Sequence, residues 1–496
     1  MENSISHLTM RLVALIGCCV LLNSGCATRK ATLNDLMSAR KKAGEAWVNE
    51  IKTEQDHETR LEGKLSLQDA LSLAIQHNKK LQVVLQEHEI ARGGVLKSYS
   101  AALPNLSANA NYTKLDETPS FDVGNQHVSM GFDNNYSAGL TVKQPIAHGG
   151  AISAGLRAAR FNALLSDEKI RTAVELTVFN ASRAYFEVLL ANQLLQVSKS
   201  AVKSSERYLS DVQKKKNQGV ASEYNVLRAK VEVSNFRAEL IKQKNAVNLA
   251  ITKLLHAMGM SQESDIILTD KLEHQPVKPV FEEAIRIANE KRSDLYKAEL
   301  RIRMQREALR IARSRFWPQV DAFFSQEWAR PDPHSSTSDE WGDAWIAGAA
   351  LSFPVFDGFN RYGKVVEESA RLKQAEVNLV KAEESTFLEV KQAILDIKDA
   401  EEFVESQKMN LKHTNEGLRL VQVGYKEGIN TEVEVMDAQT ALTRSQALFY
   451  QAIYSHTLAR LYLQKAMGIL GPEPGIYTIP ADPADPRNET LFKSSH

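Results

Sequence analysis

Past position 26 the sequence contains no cysteine: Cys18, Cys19 and Cys26 are its only thiols. A chain matured at Cys26 therefore has no internal disulfide. Neither charge sign is in excess, with Lys+Arg and Asp+Glu at 61 each. Without a basic field, a nucleic-acid partner is excluded as a first reading. Proline is sparse at 14 in 496 residues, and none falls between Ala151 and Gln218. With only Gly155 to weaken it, that stretch reads as one helix of roughly 100 Å. No run beyond the N-terminus approaches 18 consecutive apolar residues, so no transmembrane helix is expected there. The twelve histidines form no H-E-x-x-H, and there are no paired cysteine ligands and no phosphate loop. His88-Glu89 has no second histidine at ligand spacing. The expectation is no catalytic residue, no metal and no cofactor.

What is present begins with an export signal. Arg11 precedes the apolar run Leu12 to Leu22, which is shorter than the roughly 20 residues of a spanning helix. Met10 offers an alternative start. The run ends in Asn23-Ser24-Gly25-Cys26, which resembles a lipobox, with Asn23 where such boxes carry Leu or Val. Residues 1–25 are expected to be removed and Cys26 to be lipidated. Leu15-Ile16-Gly17-Cys18 fits the pattern after a shorter apolar run, and simple cleavage with Cys26 incidental is the other reading. Residues 27–64, mostly polar, read as a periplasmic tether, and 471–496, with repeated prolines, as a disordered tail.

The body is a duplication. YSAGLTVKQPIAHG, from Tyr136 to Gly149, answers WIAGAALSFPVFDG, from Trp345 to Gly358. Pro145 and Pro354 stand 209 apart (354 − 145), as do Gly149 and Gly358, Gly219 and Gly428, and Met258-Gly259 and Met467-Gly468. Upstream, Ala70, Ala74, Leu81 and Pro104 match Ala284, Ala288, Leu295 and Pro318 at an offset of 214 (318 − 104). The change of five marks a loop, where length varies at little cost. Repeat 1 covers 65–260 and repeat 2 covers 276–470. Each reads as helix, strand, loop, strand, long helix, turn, long helix, with hairpins at 151–258 and 360–468.

Heptads run along the long helices. Val174, Ala181, Val188, Leu195, Val202 and Leu209 form the series in repeat 1, and Val390, Ile397, Val404, Leu411 and Leu418 in repeat 2. Their partner positions begin small, with Thr177, Ala184, Ala191, Ser198 and Ser205 answered by Thr386, Ala393 and Ala400. Such repeats belong to supercoiled helices, and small partners let backbones approach. Alone, they would favour a long soluble coiled coil.

The strands change that reading. Near 104–112, 136–145, 318–326 and 345–354 the sequence alternates with period two. Leu106, Ala108, Ala110 and Tyr112, then Tyr136, Ala138, Leu140 and Val142, then Val320, Ala322 and Phe324, then Trp345, Ala347, Ala349 and Leu351, form the apolar sides. One apolar face with aromatics near the strand ends suits a transmembrane β-barrel. Four strands cannot close a barrel, and lipid does not tolerate an open edge. The barrel must then be shared: three chains supply twelve strands, while two supply eight and leave little lumen. Thr113 to Asn135 and Gln326 to Ala344 are read as outward loops.

Over about residues 65–470 the chain resembles the TolC family of outer-membrane efflux proteins. The duplication carries the resemblance, with the strand-to-helix corners Pro145/Gly149 and Pro354/Gly358. So does the turn from Tyr425 through Gly428 and Thr431 to Gln439, in which G-x-x-T precedes V-x-x-A-Q. The resemblance implies an α+β membrane protein: a homotrimer with a twelve-stranded β-barrel, four strands per protomer, continued by a long periplasmic α-helical barrel. It implies an outer-membrane channel for tripartite efflux or type I secretion, engaged by a periplasmic adaptor and an inner-membrane pump. Glu434 and Asp437 match the acidic ring at the tip entrance, and Tyr425 matches a tip tyrosine. Gly219, Asn225, Gly428, Asn430 and Thr431 complete the tip and gate. Asn430 stands where relatives have Arg and Asn225 where they have Asp, so a neutral clamp is expected. The alternative is a periplasmic coiled-coil scaffold lipoprotein without channel activity. An adaptor would need a single hairpin and lipoyl-like modules, for which the sequence has no counterpart.

Overall fold

The computed structural model describes residues 36–43, 45, 61–118, 120–123, 126–129, 131–335 and 338–471. The signal segment, Cys26, most of the tether and nearly all of the tail lie outside them. By contacts the chain divides into two units, Met1–Gly63 with Met260–Ile266, and Lys64–Gly259 with Ile267–His496. In the first, residues 36–43 are helical and the Leu61 amide donates to Ser264 Oγ at 3.0 Å.

The larger unit carries the repeats; β1 (Glu62–Leu65) and β6 (Asp265–Leu268) pair as a two-stranded sheet. Repeat 1 consists of α1 (Leu67–His77), α2 (Lys79–Tyr99), β2 (Asn105–Lys114), a small β3–β4 pair (Ser120–Val123, Gln126–Ser129), β5 (Asn134–His148), α3 (Ala151–Asn217) and α4 (Glu223–Met258). Repeat 2 consists of α5 (Phe281–Lys291), α6 (Ser293–Ser314), β7 (Gln319–Arg330), β8 (Gly342–Ser352), α7 (Asn360–Lys426) and α8 (Glu432–Ala466). The two long helices α3 and α7 have 67 residues each, with both ends offset by 209 (360 − 151 and 426 − 217).

Two expectations change. The first helix of each repeat is broken, at Asn78 and at Arg292. Asn78 leaves the helical region with ψ 116° and its side-chain oxygen accepts from the amides of Lys80 and Leu81, capping α2. An Asn side chain competes with a continuing helix in this way. At each break the end of the returning long helix docks. A Cβ on Gly259 would lie 2.4 Å from the His77 carbonyl oxygen, and one on Gly468 would lie 3.0 Å from the Arg292 backbone. The second change is in the loops: β7 and β8 run past the expected strand ends, leaving only 331–341 between them, and the first loop contains β3 and β4.

Heptad positions fill the core. Val174, Ala181, Val188 and Val202 are buried on α3, and all five small partners from Thr177 to Ser205 are buried with them. On α7, Val390, Ala393 and Ile397 pack with Ala284 and Ala288 of α5 and with Ala459, Leu463 and Ala466 of α8. Tyr185, fully buried, has its hydroxyl 2.6 Å from Asp270 Oδ2 and 3.0 Å from the Leu65 carbonyl. Burial first, and then Asp270, raise its pKa above the ordinary tyrosine value.

The main sheet is antiparallel in the order β2-β5-β7-β8. Its register aligns Leu106 with Val142, Ala108 with Leu140, Tyr112 with Tyr136, Val142 with Phe324 and Phe324 with Ala347. The four apolar series therefore share one face, since side chains alternate strictly along a strand. Gln326 and Asp343, hydrogen-bonded at 3.2 Å, are polar members of that face. The opposite face carries Asn109, Asn111, Ser137, Thr141 and Ser325, with the last two hydroxyls 3.0 Å apart. β2 and β8 are edges. Aromatic rings gather at both strand ends: Tyr112, Tyr136 and Trp341 at the loop end, and Phe316, Trp317, Phe353, Phe356 and Phe359, all exposed, at the helix end.

The corners differ between repeats. β5 runs through Pro145, with a register shift between Pro145 and Ala147 that accommodates a residue unable to donate to the ladder. Gly149 and Gly150 then turn with φ 57° and 84° into α3. In repeat 2, β8 stops at Ser352 before Pro354, and Gly358 and Phe359 turn with φ 64° and 69°. Space separates the two glycines. A Cβ on Gly149 would sit 2.6 Å from the Ser314 carbonyl oxygen and 2.8 Å from Trp317 Cβ, whereas one on Gly358 meets nothing within 4 Å. Gly358→Ala should thus cost only the left-handed penalty, about 1–2 kcal/mol. Gly149→Ala should cost that plus overpacking of about 1–3 kcal/mol. Thermal unfolding of the two variants should rank them so, and equal losses would refute the difference.

Candidate functional site at the hairpin turns

Each long hairpin reverses at a glycine in the left-handed region, Gly219 with φ 78° and Gly428 with φ 80°. The Val220 amide returns to the Lys215 carbonyl at 2.9 Å and the Ile429 amide to Gly424 at 2.7 Å, closing the exposed carbonyls of α3 and α7. The next helices open with side-chain caps. Ser222 Oγ accepts from the Asn225 amide at 3.3 Å and lies 2.8 Å from Asn225 Oδ1. Thr431 Oγ1 accepts from the Glu434 amide at 3.4 Å, while Glu434 Oε2 accepts from the Thr431 amide at 2.6 Å, a reciprocal capping box.

Asn225 and Asn430 thus make their bonds inside their own turns. Asn430 Nδ2 donates to Glu434 Oε2 at 3.2 Å, and the described hydrogen bonds of the two asparagines do not cross between hairpins. The Thr431 amide, the Asn430 side chain and the Thr431 hydroxyl together hold the Glu434 carboxyl below its ordinary range. Burial pushes the neighbouring Glu432 carboxyl up, and its Oε1 has no hydrogen-bond partner. Asp437 lies one turn beyond Glu434, and both are exposed.

The two turns meet across a cleft of about 610 Å³ between α3–α4 and α7–α8, lined by Tyr208, Lys215, Glu232, Tyr425, Met436 and Gln439, among others. Lys215 Nζ stands 3.7 Å from the centre of the Tyr425 ring, a cation–π contact, and the Tyr208 ring is 6.5 Å away. Lys216 pairs with Glu223 and Lys214 with Asp211 at 3.5 Å. Tyr425 therefore contacts the other hairpin through Lys215, a partner that local sequence spacing does not mark. Also missed was Gly424: a Cβ there would meet the Asn430 side-chain amide, which would have to swing aside from its place beside Glu434. The sequence Gly424-Tyr425 before Gly428 was the available signal.

The capping box has a pH signature. A depressed carboxyl contributes stability that is complete above its ordinary pKa and is lost as pH falls through the lowered one. Amide protection in the first turn of α8, corrected for intrinsic exchange, should hold to acid below the ordinary glutamate range and then collapse. In Glu434→Gln the cap persists without the charge, so protection should not change with pH there. An identical acid loss in both proteins would contradict this account.

Corners, hairpins and turns of this geometry define a class. The family described as "Outer membrane efflux protein" matches residues 70–260 and 284–469, and the chain belongs to it. Outer membrane protein TolC of Escherichia coli (strain K12) is 23% identical over 419 residues, covering 79% of this chain and 80% of that protein. The probable outer membrane lipoprotein SilC of Salmonella typhimurium is 22% identical over 408 residues, covering 80% and 84%. Among solved structures, the Campylobacter jejuni CmeC outer membrane channel superimposes with a TM-score of 0.72 at 16% identity, covering 83% of this chain and 87% of that one. The protein is an outer-membrane channel component of tripartite export systems, located in the outer membrane and extending into the periplasm. The family is one of channel components and not of enzymes. Among the described residues no helix is long and apolar enough to cross a membrane.

Proposed function

We propose that three copies of this chain close a twelve-stranded barrel in the outer membrane, continued by a periplasmic helical barrel that receives substrate from an adaptor and an inner-membrane pump. The observation that carries this reading is the sheet: one apolar face, aromatic rings at both ends, and two open edges, β2 and β8. Pairing β8 of one copy with β2 of the next leaves no edge in lipid. A second feature favours the same assembly. Large apolar side chains stay exposed along α7, among them Val377, Val380, Leu388, Leu395 and Met409, as on a helix that packs against a neighbouring copy. A periplasmic scaffold without a channel would leave the sheet face unexplained.

At the entrance Glu434 and Asp437 from three chains would converge as a ring of carboxylates, raise the local negative potential, and favour cations. Gly219, Asn225, Tyr425, Gly428, Asn430 and Thr431 form the gate in this reading, held by Lys215 on Tyr425 in place of a charged clamp. Glu434→Gln suits the test, because Gln also completes a capping box. The detergent-solubilised wild type and the Glu434→Gln/Asp437→Asn variant should both have the mass of three chains. In planar bilayers the variant should lose cation preference and block by multivalent cations. A monomer as the only species under gentle extraction would sink the architecture. Unchanged selectivity in an assembled variant would return both residues to a solvated helix face.

Lipidation at Cys26 is the remaining element, supported by Gly25-Cys26 and by the lipoprotein designation of SilC. Cys26→Ser should abolish labelling by a fatty-acid analogue. Persistent labelling would move the anchor to Cys18 or Cys19.

A further inference from the structure

Residues 269–280, between β6 and α5, link the two repeats. His274 of this linker faces Glu401 of α7 and His456 of α8, residues 127 and 55 positions apart in sequence (401 − 274 and 456 − 401). Glu401 Oε2 lies 3.1 Å from His274 Nε2 and 2.9 Å from His456 Nε2, and the donor atoms of all three lie within 4.8 Å of one another. The imidazole rings meet edge to face, with centres 4.7 Å apart.

His456 is the unusual member. It is completely buried, yet neither of its ring nitrogens has a partner in hydrogen-bonding geometry. The Glu401 oxygen is close to Nε2 but not where a ring N–H would be satisfied. In its neutral form the ring offers a lone pair to a cation. Arg460 is engaged by Gln275 Oε1, which accepts from its Nη1 at 2.8 Å.

We propose that His274, Glu401 and His456 bind a divalent transition-metal cation of the zinc class, which staples the inter-repeat linker to the second long hairpin. Two imidazoles and one carboxylate suit Zn²⁺, Cu²⁺ or Ni²⁺, whereas Mg²⁺ and Ca²⁺ require oxygen donors. A tetrahedral cation at about 2.0–2.2 Å from each donor sets the donors about 3.3 Å apart. Glu401 would therefore withdraw by a few tenths of an ångström, its side chain being 30% exposed, and the two imidazole nitrogens, within 4.8 Å of each other, would close toward that spacing. The same exposure, with His274 at 18%, leaves a side open for a water as fourth ligand. A buried imidazole that lacks a well-aligned partner gains one when the cation arrives. The inference is independent of the trimer and of the tip gate.

The test uses untagged, full-length, detergent-solubilised protein, equilibrated with Zn²⁺ and dialysed. Wild type should retain one zinc per chain by elemental analysis, with Mg²⁺ unable to displace it. Co²⁺ in its place should give the strong visible absorption of a four-coordinate site. His274→Gln and Glu401→Gln, both at partly exposed ligands, should each weaken zinc binding at least tenfold in calorimetric titration and abolish the cobalt band. They are chosen because His456→Ala would open a buried cavity and could prevent folding. Wild type that retains no zinc, or zinc binding that neither substitution changes, would overturn the proposal.

Discussion

Inside a lipid layer no water is available to an unpaired amide or carbonyl, and a four-stranded sheet has two rows of them. In the proposed barrel the missing partners come from neighbouring copies. The strands β2 and β8 are ten and eleven residues long, enough to cross a membrane when tilted. They also lie at opposite edges of the sheet, so rotation about a common axis can bring one to the other. In the proposed trimer the helices must obey the same rotation, which accounts for the apolar stripe left on α7. The corner at Gly149 is tight because Ser314, at the end of α6, and Trp317 just beyond it pack directly against it, whereas the corner at Gly358 has no such neighbour.

The architecture was legible because duplication writes it twice. A single amphipathic strand such as Tyr136 to Val142 is a weak signal, but an offset of 209 that recovers the same alternation beside Pro354 is not chance. The breaks at Asn78 and Arg292 were harder to see, since hydrophobic periodicity continues through them. Only the Asn cap pointed to the first. Arg292 carries no such local mark, and its reason is tertiary: it bridges Asp294, Glu389 and the Ala466 carbonyl, at 2.6, 2.7 and 3.2 Å. The ends of β7 and β8 were set by cross-strand pairing, which composition does not display.

At the hairpin turns the sequence marks Asn225 and Asn430 but does not display their bonds. Asn225 and Asn430 lie in the turn segments, and the structure directs them to Ser222 and Glu434. Small polar side chains reach partners within their own turn first, because the loop to be closed is short. A contact that does span the hairpins, Lys215 on Tyr425, joins residues 210 apart (425 − 215), and no local pattern could reveal it. Ligand sets assembled from three elements, as with His274, Glu401 and His456, are invisible to spacing rules for the same reason.

Equal helix lengths in the two repeats act as a pair of matched rulers. Removing one residue from α3 would raise its turn by about 1.5 Å and rotate it by about 100°, while the turn of α7 stayed in place. The ring contact between Lys215 and Tyr425 would then part, although every residue that makes it is still present. Length can therefore change only in both rulers together, and by multiples that restore helical phase, seven residues being the smallest in a heptad frame. The strand loops carry no such coupling, and one of them already differs in length between the repeats.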